Sequence, residues 1–544
     1  MKSITHLPKN LYLIASNNTL PHHKPNPENM GSKAYNLLNM VKIGLPVPPA
    51  LVIGTHYTKA PEECMLPVFA VGLTALQEAA GLIFGDARKP LIVSVRSGAP
   101  VSMPGMLETL LNIGLCDQTI GGLLHQTGNP RLVWDAYRRL IANYGEVVAG
   151  LPASIFENEI ERVTEGRDER LLDFWELRDL SHQFLSIYQL HAGQAFPQDV
   201  NEQLSGAIRA VFASWHAKKA QEYRNLNKID SSMGTAVTIQ CMVFGNSGNH
   251  AGAGVGFTRD PVTGEHRLWV DFLANAQGED VVAGRRNAHG HQVLASVAPQ
   301  AWRQLQESAH LLEAEFKDMQ DFEFTVQDGL LYMLQTRPGK RTSLASARIA
   351  LDLLDEGIID SKIALERTDT LKEQDIGTIR LAKQDSPKTA AKPIAHATPA
   401  SSGVVSGEIA MDGLRLAART GSGAGIVLVR QDAQTRDIAE LEMSLGLLTH
   451  RGARTSHAAV VARQLGKVCL VGCESLRIDL SSRSLQIGNT VLHEGDLITL
   501  DGNDGTIYPG TVAAVMMPDK PLLKRLKALR TSQVLNHGHR KHDN

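Results

Sequence analysis

Apolar positions recur at helical spacing over residues 33–42, where Leu37, Leu38, Met40 and Val41 supply a face, and Gly44 ends the pattern. Pro46, Pro48 and Pro49 stiffen the exit into the run Ala50-Leu51-Val52-Ile53, which predicts a strand. Residues 91–95 predict a second strand, delivering Arg96 into a small, proline- and glycine-rich loop ahead of a helix over 107–113. From 117 to 230 the pattern is mainly helical, with apolar spacing over 131–148, 168–190 and 202–224. Strand character returns at 235–244, before a glycine-rich loop over 245–256. Residues 321–337 read as a hairpin turning at Asp328-Gly329. Its alternation puts Asp321, Glu323 and Thr325 on one face, while Gln335 and Arg337 share a face of the partner strand. One helical connector follows over 341–368, and a lysine-rich linker over 372–392. A compact region of strands and short helices opens at 398. It includes a strand at 425–430, a helix over 435–445, and a polar turn from 448 that runs into an Ala/Val helix stopping at Gly466. Past Pro518 the pattern predicts a basic helix that frays.

Composition narrows the class. The 544 residues suit about three domains at ~150 residues each. A net charge of -2 offers no electrostatic footprint for nucleic acid or an anionic membrane. No apolar run approaches a membrane span, and the start leads into no signal-type core, so the expected compartment is the reducing cytoplasm. Five cysteines in so long a chain do not make a disulfide framework.

Candidate chemistry gathers at a few places. Thr455 or Ser456 caps the Ala/Val helix, which puts His457 at its N-terminus or one position inside. Unsatisfied N–H groups and the positive helix end favour a negative charge there, so His457 is a candidate phosphoryl carrier. Taken alone, a histidine in that place is more often a capped core residue. Lys33 at a helix start is a phosphate contact or a solvated lysine, and Arg96 a bidentate phosphate grip or a partner of a local carboxylate. The glycines Gly252, Gly254 and Gly256 precede no helix, which rules out a dinucleotide fingerprint and predicts a lid over phosphates. Carboxylates, an amide and an arginine on the 321–337 hairpin make a Mg-nucleotide floor, or the polar face of an edge hairpin.

Together, the motifs Ser94-Val-Arg-Ser-Gly-Ala, Ser102-Met-Pro-Gly-Met, Asn275-Ala-Gln-Gly-Glu-Asp-Val-Val-Ala-Gly, the hairpin ending at Arg337, and Thr455-Ser-His-Ala-Ala-Val-Val-Ala-Arg resemble pyruvate, phosphate dikinase and the wider PEP-utilising family. The resemblance implies a multidomain chain of mixed α/β and α+β class. An ATP-grasp nucleotide-binding domain (1–340, with a helical subregion at 117–230) would be followed by a connector and linker (341–392), a swivelling β/α phosphohistidine domain (393–515) and a basic tail (516–544). It implies that Lys33, Arg96, Gln277, Glu279, Asp321, Glu323, Gln335 and Arg337 hold Mg2+ and ATP, with Glu323 and Gln335 on the metal and residues 252–256 as lid. His457, with Lys33, Arg96 and Arg337, would then take the β-phosphoryl of ATP, releasing AMP and, with phosphate, pyrophosphate.

Family dikinases continue into a barrel that binds PEP or pyruvate. That comparison predicts the first half-reaction here, with the acceptor on a separate barrel protein or a different acceptor altogether. The competing reading is a catalytically inactive, nucleotide-sensing or partner-regulating relative. Departures from the family pattern fall at Ser32, Ala34, Asn39, Ala453, Arg454 and His450. Arg454 either steadies a phosphohistidine or changes what docks.

Overall fold

The computed structural model describes residues 7–16, 24–103, 105–282, 290–382, 392–413, 415, 425–432, 438–452, 454 and 457–539. They form two compact units, one of residues up to 251 with 325–336, the other of 252–324 with 337–544.

The first unit is built on an antiparallel sheet in the order β1-β2-β5-β3-β4, from Leu11–Ile14, Ala50–Ile53, Ala236–Cys241, Val93–Gly98 and Thr109–Ile113. The strand Ala50–Ile53 falls where the apolar run placed it, and all four of its residues are buried. Residues 109–113 are a strand, which corrects the expected helix over 107–113. Val95 and Arg96 of β3 pair with Leu110 and Thr109 of β4, and that ladder overrides the local pattern. Helices Pro130–Val147 and Phe174–Ala192 answer two of the predicted helical stretches; the third, over 202–224, is two helices, Val200–Ser214 and Lys218–Leu226. The helices Pro130–Val147, Phe174–Ala192 and Val200–Ser214 contribute to the apolar core of this unit. Helix Ser32–Lys42 ends as expected near Gly44, which has φ 83°.

A four-stranded sheet runs in the order β7-β6-β8-β9, from Trp269–Ala274, Gly252–Phe257, Gln320–Gln327 and Leu330–Pro338. The hairpin turns at Asp328 (φ 52°) and Gly329 (φ 80°), the paired left-handed residues that a two-residue turn demands. The expected glycine lid is corrected here. Residues 252–257 form a buried strand, and the phenyl rings of Phe272, Phe322 and Phe324 occupy the space where side chains of Gly252, Gly254 and Gly256 would lie.

The connector is two helices, Ser343–Asp355 and Ser361–Thr368, parted by Gly357 at φ 73°. The linker reading is corrected in part: β10 (Gly377–Leu381) pairs with β22 (Ala514–Pro518). The tail is the helix Lys520–His539, whose Leu522, Leu526 and Leu529 are buried against the connector helices; residues 540–544, where the fraying is expected, lie outside the described residues.

Between those strands lies a sheet in the order β11-β21-β20-β13-β14-β15-β16-β12, in which β11 is Ala395–His396, β12 Thr398–Ser401, β20 Leu497–Asp501 and β21 Thr506–Pro509. Its centre is parallel: β13 (Val404–Ala410), β14 (Ile426–Arg430), β15 (Gly446–Thr449) and β16 (Val468–Val471). Near-continuous apolar sequences such as Val468-Cys-Leu-Val suit strands covered on both faces. Part of the predicted helix over 435–445 is seen as Ile438–Met443; residues 433–437 lie outside the described residues.

Candidate functional site

In the first unit, Lys33 is the second residue of helix Ser32–Lys42, and Arg96 lies within β3 rather than in the loop after it. Their elements meet. The Ser32 amide and hydroxyl both donate to the Ala99 carbonyl, at 3.1 and 3.0 Å, which fixes the helix start against the end of β3. One turn on, Asn36 Nδ2 donates to the Thr336 carbonyl at 2.8 Å, beside the buried Gln335. Lys33, Arg96 and Gln335 thus sit on elements bonded to one another. A helix N-terminus, a lysine and an arginine form a setting for phosphate oxygens.

In the second unit, Asp321 of β8 accepts from Arg337 Nε at 2.8 Å. Burial pushes the Asp321 carboxyl up from its ordinary range despite that guanidinium. Burial also works against charge on Arg337, but the carboxylates of Asp321 and Glu323 more than offset it and hold the guanidinium above its usual value. Asp321, Glu323 and Arg337 are therefore one electrostatic cluster, as the alternation on the first strand predicted for the two acids. Gln277 is buried just beyond β7, where its backbone N–H donates to Asp280 Oδ2 at 3.0 Å, and Glu279 is exposed on the short helix Gly278–Val282. Glu323 and Gln335 offer hard oxygen donors of the kind Mg2+ takes, usually one or two per site beside phosphate oxygens and water.

His457 is the first residue of helix His457–Gln464, which follows the carboxyl end of β15 in the parallel part of its sheet. Such strand ends are where open α/β sheets receive ligands. Ala459 and Ala462 are fully buried against Leu441, Leu447 and Val471, and Gly466 at φ 67° ends the helix as expected. The capping candidates Thr455 and Ser456, and the departure Ala453, lie outside the described residues. His450 is held in place by an Nδ1 contact with the Cys473 carbonyl at 3.1 Å.

Sequence reasoning missed the residues that tie this helix to the β6–β7 strands. Arg463, fully buried, donates to the Ala400 carbonyl through Nε and Nη2, and its guanidinium lies 4.9 Å from the Trp269 ring and 5.3 Å from that of Phe257. Burial brings Arg463 down to about 10, against the opposing pull of Cys469, Asp321, Asp260 and Asp271. The helix that His457 opens is thus within electrostatic reach of Asp321. The signal for Arg463 was there to read: a lone arginine in an Ala/Val helix.

These features define a class: an ATP-grasp-like nucleotide-binding fold joined to a parallel-centred domain with a histidine as the first residue of the helix that follows a strand end. Comparison makes this specific. The model of the pyruvate phosphate dikinase AMP/ATP-binding domain matches residues 73–298 and 288–357, and that of the PEP-utilising enzyme mobile domain matches residues 423–505. The chain belongs to the pyruvate, phosphate dikinase family. It is 40% identical over 492 residues to the chloroplastic pyruvate, phosphate dikinase of Flaveria pringlei, covering 88% of this chain and 51% of that one. Pyruvate, phosphate dikinase from Clostridium symbiosum is 40% identical over 495 residues (89% and 56%), and pyruvate, phosphate dikinase 2 of Zea mays 39% over 493 (89% and 56%). The chain spans about half the length of these relatives. Among the described residues, no helix is long and apolar enough to cross a membrane.

Proposed function

We propose that the chain transfers the β-phosphoryl group of ATP to His457. A neutral imidazole nitrogen attacks the β-phosphorus, the bond from that phosphorus to the bridging oxygen breaks, and AMP leaves with the oxygen. An oxygen of inorganic phosphate then attacks the γ-phosphorus, the bond from that phosphorus to the β–γ bridging oxygen breaks, pyrophosphate departs, and the β-phosphoryl group keeps that oxygen and stays on His457. Lys33, Arg96 and Arg337 disperse the negative charge that moves through both transition states. Glu323 and Gln335 would hold Mg2+, which when bound neutralises charge on the phosphate oxygens. Gln277, Glu279 and Asp321 position the nucleotide or its neighbouring side chains. The group on His457 then passes to pyruvate or another acceptor. Free phosphate and ATP as co-substrates suit the cytoplasm.

The observation that carries this reading is the placement of the His457 helix. It stands at a strand end, and its Arg463 rests on Trp269 in the field of Asp321, the partner of Arg337. The test is incubation with Mg2+ and ATP labelled at the β-phosphate. Acid-labile label and AMP are expected on the wild type and not on His457→Asn. Label from γ-labelled ATP is expected to leave the protein as pyrophosphate only when phosphate is added. No β-label with or without phosphate overturns the reading.

A further inference from the structure

Arg454 stands three residues before His457, and its guanidinium is bonded to β7. Nε and Nη2 donate to Asp271 Oδ1 at 2.9 and 2.6 Å, and Nη2 also donates to the Val270 carbonyl at 3.1 Å. The guanidinium carbon lies 4.3 Å from the centre of the Trp269 ring, a cation–π contact. Trp269, Val270 and Asp271 are consecutive residues of β7, so one arginine grips three positions of one strand by charge, backbone and ring. Arg463, from the helix that follows, grips the same indole at 4.9 Å.

Asp271 is only 1% exposed. A buried carboxylate is costly unless paired, and Arg454 contributes two charge-assisted hydrogen bonds to that pairing. The two residues are 183 apart in sequence, so their pairing reports the docking of the His457 segment on β7 and nothing local. Of the two roles left open by the sequence, steadying the phosphohistidine or setting what docks, this geometry carries the second.

We infer that Arg454 is a positioning residue. It and Asp271, with Trp269, form a charge-keyed dock that holds the His457 segment against β7 while His457 is phosphorylated. The inference rests on the functional reading above only for what the dock is used for. The dock itself is a matter of structure.

The test is hydrogen exchange on the full chain without nucleotide, comparing wild type, Arg454→Met, Asp271→Asn, the double variant, Arg454→Lys and the exchanged pair Arg454→Asp/Asp271→Arg. Peptides over 269–274 and 457–464 are expected to exchange about fivefold faster in each uncharging single variant, with no further gain in the double. Lysine and the exchanged pair are expected to restore much of the protection. Unchanged exchange in Arg454→Met, or additive effects in the double, overturns the dock. The β-phosphate labelling rate is read in parallel, with a fall in rate and an unchanged KM for ATP expected for Arg454→Met. Absence of label on the wild type alongside the expected exchange pattern removes the functional reading and leaves the dock standing.

Discussion

Gly31 stands so close to Gly98 that a β-carbon on the first would lie 1.8 Å from the carbonyl oxygen of the second. Gly31 is also at φ 76° and ψ 149°, a region closed to residues with side chains. This contact seats the helix bearing Lys33 on the strand bearing Arg96. Gly31→Ala is expected to cost about 2 kcal/mol or more in stability, by the strain of such a backbone conformation. It is expected to raise KM for ATP at temperatures where the variant remains folded. Thermal unfolding and labelling kinetics measure the two effects.

Gly254 offers a contrast between a lid glycine and a strand glycine. An added methyl would meet the Phe324 ring at 2.4 Å. Gly254→Ala is therefore expected to lower stability by about 1–3 kcal/mol through overpacking. Trimming the ring with Phe324→Leu in the same chain is expected to return part of that loss. A lid glycine would instead change KM for ATP and leave unfolding untouched, so a denaturant titration of the two single variants and the double separates the cases.

Asp135 gives a pH signature within the first unit. Burial works against its charge, but Arg139, Arg138 and Arg131 prevail and hold the carboxyl below its ordinary value. Its oxygens accept from Arg138 Nε at 2.9 Å and Arg139 Nε at 3.0 Å. With the folded value below the unfolded one, the stabilisation is fully present above the ordinary carboxylate range and is lost as pH falls through the lowered value. Asp135→Asn is expected to cost about 3 kcal/mol at neutral pH by stranding buried guanidinium charge. The acid limb of its stability profile, followed by urea unfolding at several pH values, should flatten.

Glu323→Gln and Gln335→Ala are expected to raise the Mg2+ concentration needed for half-maximal labelling by about 10-fold or more, in the range seen when metal-site groups are removed. Melting temperature without Mg2+ should hardly move. Equal labelling at every Mg2+ concentration would remove both residues from the metal site.

The pattern of the sequence carried the local features well. The Asp328-Gly329 turn, the strand Ala50–Ile53 and the helix stop at Gly466 each follow from a few adjacent residues whose backbone preferences agree. What it hid depends on distant partners. Gly252, Gly254 and Gly256 look like a loop by composition, and only the rings of Phe272, Phe322 and Phe324 make them a strand. Residues 109–113 join the sheet because β3 pairs with them. The linker reading failed at 377–381 because its pairing partner lies more than 130 residues onward. In the site, residues of matching motifs were legible one at a time, whereas Arg454 showed only as a departure. Its meaning came from Asp271, a charge in a buried strand that local sequence leaves unexplained.

The pairing of β10 with β22 has a mechanical consequence. The chain enters the histidine-bearing domain through Gly377–Leu381 and leaves it through Ala514–Pro518, with Gly377 opposite Pro518 and Leu381 opposite Ala514. Backbone bonds extend this ribbon at both ends, from Asp519 N to the Ile376 carbonyl and from Ala382 N to the Ala513 carbonyl. Both tethers are thus one narrow two-ply stalk. The ladder resists separation of the two strands, so the domain's entry and exit are clamped together at one place, and a pull on either tether is shared by both.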